Sequence, residues 1–473
     1  SAEAGSAARG PAWREWLSLR RLGLPPFAFR LIFRSLFLGS EVLIAEALLG
    51  GEDVLLSMQS LAGAVGYTGN ENEPLIDHEE KEPLRTVALV MLAMVLGYAS
   101  TVGPLQHEYK VALGIGQVGQ TAHLFTFYAG FTHIAKFIGY VAHSAVFPCL
   151  SPLQRAYISM GFMFAGIMVP SIVVFLLGSK WVGTVLIAYS LSGFGFGMFE
   201  VTFLNVITPL GKPTKSWAIM GFPLGFAMIN IVCPLCSYAG VPVKFLFWCI
   251  LAYIPFGFLL LLRLPIGDQA GGGHKTTGQR SLYASLCSGG SWLPVMLPQL
   301  LARLAVEFVM QNNPNYYIYN DMHWVPLWSP ESSSQGLLDV HLFFTIFGTA
   351  VFLGDAISRR VSFLLPLDTL KYNVALLCAA VACSIVAFCL MAFDIAALAV
   401  VAIFLAFWGN GLMYGAGAKY IDKFVPLEHN LAAYSIWSFA GGMGSIGGAE
   451  LIDVSRKLYC GGRVYPFVCL SDN

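Results

Sequence analysis

The sequence contains few charged residues. Only 11 % of its 473 residues are Asp, Glu, Lys or Arg, whereas 56 % are apolar, and the 27 basic side chains balance the 27 acidic ones. A net charge of zero provides no electrostatic attraction for nucleic acid, so we expect no nucleic-acid partner. The apolar excess excludes a soluble globular chain and indicates a membrane protein whose main partner is the lipid bilayer.

The sequence also lacks the motifs of soluble enzymes. It has no GxxxxGK[ST] phosphate loop, no serine nucleophile elbow and no metalloprotease helix. Cys233 and Cys236 form a CxxC pair with no second pair and no nearby histidine, so packed thiols are a better interpretation than a zinc or redox site. No apolar segment pairs aspartates, or a serine with a histidine, for catalysis inside the membrane. We therefore expect no catalytic residue, no metal and no cofactor.

Long apolar segments begin at Leu84, and each transmembrane helix needs about 20 such residues. They predict about eleven spans, near residues 84–106, 121–147, 156–178, 181–209, 217–239, 243–264, 291–312, 336–356, 369–392, 395–417 and 430–452. The Gly-, Ser- and Thr-rich segment 265–290 is typical of a flexible linker. We expect an all-α membrane protein with a six-helix half over 84–264, this linker, a five-helix half over 291–455 and a tail over 456–473. Basic residues concentrate in loops on the N-terminal side, which the positive-inside rule assigns to the cytosol or matrix.

The first 83 residues differ from the rest. The first 34 contain six arginines, no lysine and two acids, and the apolar stretch 26–49 is interrupted by charges. This pattern predicts an amphipathic extension lying in the membrane interface or against protein partners, which residues 1–70 would contact. An arginine-rich, acid-poor leader also resembles an organellar targeting segment. The polar, acidic residues 66–83 are typical of a linker.

One stretch, SLSGFGFGMFEVTFLNVITP at 190–209, combines small residues with a carboxylate. Gly193 and Gly197 lie four residues apart, so on a helix they share a face that a neighbouring backbone can approach closely. Glu200 follows near the same face at mid-depth. A charge there costs about 2.5–3.5 kcal/mol on insertion scales, which makes Glu200 a functional candidate. A glutamate that only holds helices together by hydrogen bonds is the alternative.

The tenth predicted span, the fourth of the second half, repeats this spacing. Gly411 and Gly415 in GNGLMYGAGAKYI correspond to Gly193 and Gly197. Two such halves joined by a linker indicate a parallel-repeat carrier of the major facilitator kind. At the end of the eighth predicted span, the pattern is typical of that superfamily's short cytosolic loop, where an acid and following arginines latch two helices. The predicted latch residues are Asp355, Arg359 and Arg360.

Several ordered motifs between about residue 73 and residue 460 resemble the battenin family of lysosomal membrane proteins. They are GMFEVTFLN at 197–205, EFVMQN at 307–312, GNGLMYGAGAKYI at 409–421, LEH at 427–429, AAYSIWSFAGGMGSIGG at 432–448, Lys136 upstream of Ser151-Pro152, and PLIDH at 74–78. The resemblance implies a major-facilitator-like exporter of the endolysosome, associated with glycerophosphodiesters or basic amino acids. Glu71, Leu75 and Ile76 have the acidic-dileucine form of endolysosomal sorting signals. Asp355 stands where the family has an arginine, which reverses the local charge.

The candidate binding residues are the charges near mid-membrane. In an alternating-access carrier such charges bind substrate or transfer protons. Lys136 and Glu200 have no partner nearby in sequence, so we expect them to pair across helices. Arg303 and Glu307 are four residues apart and either bind solute or pair with each other. Further polar support is expected from Gln311, Asn312 and Tyr316. The second span also carries His123, His133 and His143, which are either proton-coupling groups or hydrogen-bonded packing residues.

Two functional hypotheses follow. The first is a secondary transporter of small polar organic solutes, glycerophosphodiester-like or basic amino acids, in the endolysosomal membrane. The second is a non-transporting subunit that uses a carrier fold as a scaffold in a larger assembly, in the mitochondrial inner membrane. The arginine-rich residues 1–70 and the Asp355 exchange motivate the second. A transporter predicts an aqueous cavity that reaches Lys136 and Glu200, whereas a scaffold predicts that this space is filled.

Overall fold

The computed structural model describes residues 78–116, 120–145, 150–207, 210, 212–264, 292–313, 319, 322–328, 336–365, 369–393, 395–452 and 454–455. Residues 1–77 of the predicted N-terminal extension, the linker over 265–290 and the tail over 456–473 lie outside the described residues, whereas residues 78–83, predicted to end the extension as a polar linker, are helical. So do Tyr316 and the proposed sorting residues Glu71, Leu75 and Ile76. The assignments made for these segments stay predictions.

The first half consists of long helices joined by short turns. Its helices are α1 (His78–Val102), α2 (Leu105–Ala112), α3 (Gln120–Ala145), α4 (Pro152–Met168), α5 (Gly183–Val206), α6 (Lys212–Ala227), α7 (Cys233–Tyr238) and α8 (Val243–Arg263). Two π-helical turns, Val169–Val174 and Met228–Val232, continue α4 and connect α6 to α7. The first contains Pro170 and the second lies between Pro223 and Pro234, and a proline removes a backbone donor and loosens the helix locally.

The second half repeats this arrangement with five long helices. They are α9 (Leu293–Gln311), α10 (Val340–Leu364), α11 (Leu370–Met391), α12 (Ala396–Phe424) and α13 (Asn430–Glu450). A two-stranded antiparallel hairpin, β1 (Trp324–Pro326) with β2 (Leu337–Asp339), precedes α10. The Asp339 side chain accepts hydrogen bonds from the His341 and Leu342 amides and so caps α10.

Nine of the helical segments in the described residues are long and apolar enough to cross a membrane. Two further long helices, α3 and α13, are more polar and pack against each other across the two halves. Because much of their surface meets protein instead of lipid, polar side chains are tolerated there. The all-α membrane architecture with about eleven spans in two halves is therefore confirmed.

The two halves pack their helices in the same order. In the first half α5 packs on α3 and α4, and α1 packs on α6; in the second, α12 packs on α10 and α11, and α9 packs on α13. The halves meet through α3 with α13 and through α6 with α10. When the short helix α2 is not counted, each contact joins the second long helix of one half to the fifth of the other. This symmetric interface is the arrangement expected of a parallel-repeat carrier.

The glycine pairs set equivalent contacts in the two halves. A Cβ added at Gly193 or Gly197 would collide with the carbonyl oxygen of Thr132 or Lys136 on α3. A Cβ at Gly411 would meet the carbonyl of Asp355, and one at Gly415 would meet Ser362 and, at 3.3 Å, the carbonyl of Arg359 on α10. Lys136 on α3 and Arg359 on α10 consequently occupy equivalent places on the second long helix of each half.

The predicted end of the eighth span was wrong. The eighth span was expected to end at residue 356, but α10 continues to Leu364. Asp355 and Arg359 therefore lie inside the helix and are buried, while Arg360 is exposed. The helix continues because the carboxylate and the guanidinium, one turn apart, neutralise each other. A latch in a loop at the helix end does not match this placement.

Candidate functional site

Lys136 and Glu200 meet between α3 and α5. The Lys136 ammonium nitrogen lies 3.7 Å from Oε2 of Glu200, which is longer than a hydrogen bond. Three aromatic rings surround the ammonium, with centroids 4.8 Å (Tyr98), 5.1 Å (Phe196) and 5.6 Å (Tyr140) away. Cation–π attraction therefore stabilises the Lys136 ammonium. The ammonium donates no direct hydrogen bond to Glu200.

Glu200 is instead bound by two tyrosines, one from each half. The Tyr140 hydroxyl donates to Oε2 at 2.6 Å, and the Tyr414 hydroxyl on α12 donates to Oε1 at 2.5 Å. Bonds to a carboxylate are about twice as strong as neutral ones. Glu200 therefore links α3, α5 and α12, and so joins the two halves in mid-membrane.

Tyr414 is the centre of this arrangement. Its hydroxyl also accepts a hydrogen bond from Arg303 at 2.6 Å. The Arg303 and Arg359 guanidinium carbons lie 3.9 Å and 4.3 Å from the centroid of its ring. A ring between two cations lowers the cost of burying both in a medium that lacks water.

Each arginine has a carboxylate on its own helix. Arg303 contacts Oε1 of Glu307 at 2.6 Å, and Ser445 on α13 donates to Oε2 at 3.1 Å. Arg359 contacts both oxygens of Asp355 at 2.9 Å. Asn410 on α12 donates its side-chain amide to Oδ1 of Asp355 at 3.2 Å. Both pairs span one helical turn, as their sequence spacing allows.

The six charged residues form one buried group, here called the central charge cluster: Lys136, Glu200, Arg303, Glu307, Asp355 and Arg359. None has more than 5 % of its surface exposed. Three formal positive charges face three negative ones, so the cluster is neutral. Neutrality is required at this depth, because an uncompensated charge away from water costs several kcal/mol, in the range of about 3–5 when a partner is removed.

A cavity of about 120 Å³ with both polar and apolar lining adjoins the central charge cluster between the two halves. Lys136 and Glu307 line it, whereas the other four members of the cluster do not. Its remaining polar lining is Tyr98, Asn230, Gln311, Asn313, Asn410 and Tyr414, and its apolar lining includes Phe222, Phe226, Phe347 and Phe407.

The structure brings together most of the residues that the sequence singled out. Lys136, Glu200, Arg303 and Glu307 are joined through Tyr414, and Gln311 lines the cavity. Asn312 is buried beside it without lining it. No histidine lines the cavity among the described residues: His123 is exposed on α3, His133 is half-buried, and the side chain of His143 is not described.

Sequence reasoning missed the polar groups that connect the charges, namely Tyr98, Tyr140, Tyr414 and Asn410. Two signals pointed to them. Tyr140 lies one turn after Lys136 on the same helical face, and Tyr414 follows Gly411 by three residues, as Glu200 follows Gly197. Because the glycines pack against the neighbouring helix, a residue three positions later points towards the same interface.

Comparison with known proteins identifies the fold. No family model and no curated protein matches the sequence. Among solved structures, a POT family transporter in complex with a thioalcohol-conjugated peptide aligns over 79 % of this chain and 91 % of its own, with 10 % identity and a TM-score of 0.54. A peptide transporter POT in complex with sulfate covers 80 % and 90 %, with 12 % identity and a TM-score of 0.53. A D-xylose–proton symporter covers 79 % and 89 %, with 13 % identity and a TM-score of 0.52. At these identities the similarity establishes the fold, which is of the major facilitator type.

Proposed function

We propose that this protein is a secondary transporter that moves small polar organic solutes by alternating access. The observation that carries the proposal is the cavity between the two halves, which a buried lysine lines. A buried charge beside a cavity, at mid-membrane and at a repeat interface, is where carriers of this architecture bind solute. The known transporters with the same fold support the same conclusion.

The central charge cluster suits alternating access because its members belong to both halves. Lys136, Tyr140 and Glu200 come from the first half, and Tyr414 and Arg303 from the second. A solute that binds between the halves competes for these bonds. Binding and release therefore bias how the halves pack, which is the condition for a ligand to shift a conformational equilibrium.

The resemblance to the battenin family supplies the first solutes and the membrane to examine. We propose an endolysosomal location and, as candidate solutes, a glycerophosphodiester or a basic amino acid. Lys136 is the cation that would bind a phosphodiester or a carboxylate, with Gln311 as polar support. A cavity of about 120 Å³ is slightly smaller than the roughly 150 Å³ that accommodates benzene, so a glycerophosphodiester requires the halves to separate further.

The test uses purified full-length protein in proteoliposomes and measures entry of labelled glycerophosphocholine and labelled lysine, each in exchange for internal solute. Lys136→Met removes the cavity cation, and losing a charge-assisted hydrogen bond of about 1.5–3 kcal/mol should slow exchange by about tenfold or more. Lys244→Met is the matched control, because Lys244 lies on α8 beside Phe245 and outside the cavity. Exchange that is equally fast with both variants would contradict the proposal.

The scaffold hypothesis has one observation in its favour. Arg303 and Arg359 are each neutralised by a carboxylate on the same helix, so the cluster is complete without a solute. The discriminating experiment is fractionation of the native protein with identification of co-purifying proteins. Recovery in endolysosomal membranes without stoichiometric partners supports the transporter. Recovery in a mitochondrial inner-membrane complex supports the scaffold.

A further inference from the structure

We infer that the cavity binds a small zwitterion, whose anionic group contacts Lys136 and whose ammonium contacts Glu307. This inference rests on the proposed function, since it names the class of solute for the same site. Its basis is the cavity wall, which presents one cation and one anion from opposite halves of the protein.

Lys136 supplies the positive end of the cavity. Its nearest carboxylate oxygen is 3.7 Å away, and the ring centroids of Tyr98 and Phe196 lie 4.8 Å and 5.1 Å from the ammonium. The ammonium has three donors in fixed proximity to the cavity. A carboxylate or similar anion would receive charge-assisted hydrogen bonds that Glu200 leaves unused.

Glu307 supplies the negative end. Arg303 occupies one of its oxygens and Ser445 donates to the other, but a carboxylate offers about four acceptor positions in total. Two further acceptors line the same cavity, because the side-chain oxygens of Asn313 and Asn410 have no hydrogen-bond partner among the described residues. The amide of Asn410 donates to Asp355, which fixes its oxygen as the free atom. An ammonium group of the solute matches this set of acceptors.

Charge balance selects a solute with no net charge. The central charge cluster is neutral before binding, and its members are buried. A net anion or a net cation would add an uncompensated charge in a region with little water, which is costly without a co-transported ion. A zwitterion satisfies both ends of the cavity and leaves the total unchanged.

With the halves as they stand, a cavity of about 120 Å³ has room for a solute of roughly the size of benzene, that is, about six non-hydrogen atoms. L-Alanine has this size and both charges. L-Lactate has the same skeleton with a hydroxyl in place of the ammonium, and L-alaninol has the ammonium but no carboxylate. These three probes separate charge from shape.

The experiment measures thermal unfolding of the full chain in lipid nanodiscs at increasing concentrations of each probe. A ligand that binds the folded state raises the unfolding temperature in a saturable way. We expect a rise with L-alanine, and a much smaller one with L-lactate or L-alaninol. Equal responses to all three probes, or no response to L-alanine, would overturn the inference.

Two variants test which end of the cavity binds which group. Lys136→Met leaves a net negative cluster and should transfer the response from L-alanine to L-alaninol, whereas Glu307→Gln leaves it positive and should transfer the response to L-lactate. Lys136→Arg and Glu307→Asp keep the charges, so the response to L-alanine should weaken without being transferred to L-lactate or L-alaninol, which separates loss of fit from loss of charge. Lys244→Met should behave like the unchanged protein. A folded Lys136→Met or Glu307→Gln protein that still prefers L-alanine would refute the assignment.

The same probes distinguish the solute class from the transport proposal. Saturable binding of L-alanine, without movement of L-alanine, glycerophosphocholine or lysine in proteoliposomes, would support the zwitterion site and contradict the transport proposal. Movement of another solute without any binding of L-alanine keeps the transport proposal and removes the zwitterion site.

Discussion

At the scale of single residues, the unusual feature is a tyrosine that organises charges from both halves. The Tyr414 hydroxyl donates to Glu200 and accepts from Arg303, and its ring lies between Arg303 and Arg359. These contacts join the first-half carboxylate to the second-half arginines. Tyr414 therefore connects the two halves by hydrogen bonds and cation–π contacts in addition to packing.

Tyr414→Phe removes the hydroxyl but keeps the ring between the arginines. We expect a destabilisation of about 1–3 kcal/mol, because Glu200 loses one hydrogen bond and Arg303 loses an acceptor, both in a buried site. Thermal unfolding in detergent measures the stability, and solute exchange in proteoliposomes measures function. Tyr372→Phe is the control, since Tyr372 is exposed on α11. Unchanged stability and exchange in Tyr414→Phe would show that the hydroxyl carries none of the coupling.

The sequence alone singled out the charged residues that lie together in the cluster. It did not single out the polar groups that connect them. Lys136 and Glu200 stand out in the sequence because burying a charge in hydrocarbon is energetically unfavourable, so a charge there indicates a structural or functional role. Tyr414 is one of 19 tyrosines, and most tyrosines in such a chain need no reason beyond packing or the membrane interface. Only the contact of its hydroxyl with Glu200 identifies it.

At the scale of helices, glycine determines where α3 and α10 place their charged residues. Gly197 lets α5 approach the carbonyl of Lys136, and Gly415 lets α12 approach the same point beside Arg359. The close approach fixes the depth and rotation of both cations relative to the aromatic rings, Phe196 in one half and Tyr414 in the other.

Gly197→Ala should push α5 away from α3, because the added methyl group collides with a backbone carbonyl that cannot rotate away. We expect a loss of about 1–3 kcal/mol of stability, as for overpacked cores, together with weaker solute binding because Lys136 moves. Gly161→Ala is a matched control on α4, since a Cβ there meets no atom within 4 Å. The control should be neutral or slightly stabilised, by up to about 1 kcal/mol from helix propensity. Similar unfolding temperatures for the two variants would contradict this explanation.

At the scale of the whole molecule, the number and type of elements could be predicted from the sequence. Which helices pack together could be predicted only where paired glycines indicated a close helix contact. Spans are predictable because each must supply about 20 apolar residues. Most helix contacts are not, because lipid-facing and protein-facing surfaces of a membrane helix are both apolar. The end of α10 was misplaced because Asp355 and Arg359 look like the polar end of a span in the sequence. In the folded protein they form a neutral ion pair inside the helix, and such pairing is also what allows the cluster to be buried.

The two halves are also tied together at one end of the bundle, where α6 begins and α12 ends. The Lys215 ammonium lies 3.0 Å and 3.2 Å from the two oxygens of Asp422, and the Tyr434 hydroxyl donates to the same carboxylate at 3.2 Å. The cavity extends instead towards the opposite end, where α1 and α9 finish and where Gly103 and Asn313 line it. In the described residues, the Lys215–Asp422 contact thus bridges the halves at the end away from the cavity.

If the halves rock against each other, this contact must break in each cycle. Replacing Lys215 and Asp422 by cysteines and linking them with a reducible bifunctional reagent should stop solute exchange, and reduction should restore it. The matched control links cysteines at Asp422 and Tyr434, which are both in the second half, and should leave exchange intact. The unchanged protein, treated identically, controls for its native thiols. Because α6 and α12 would have to separate for the solute to leave at this end, continued exchange by the cross-linked protein would mean that the Lys215 end does not open, and alternating access between the two halves would then be excluded as the mechanism.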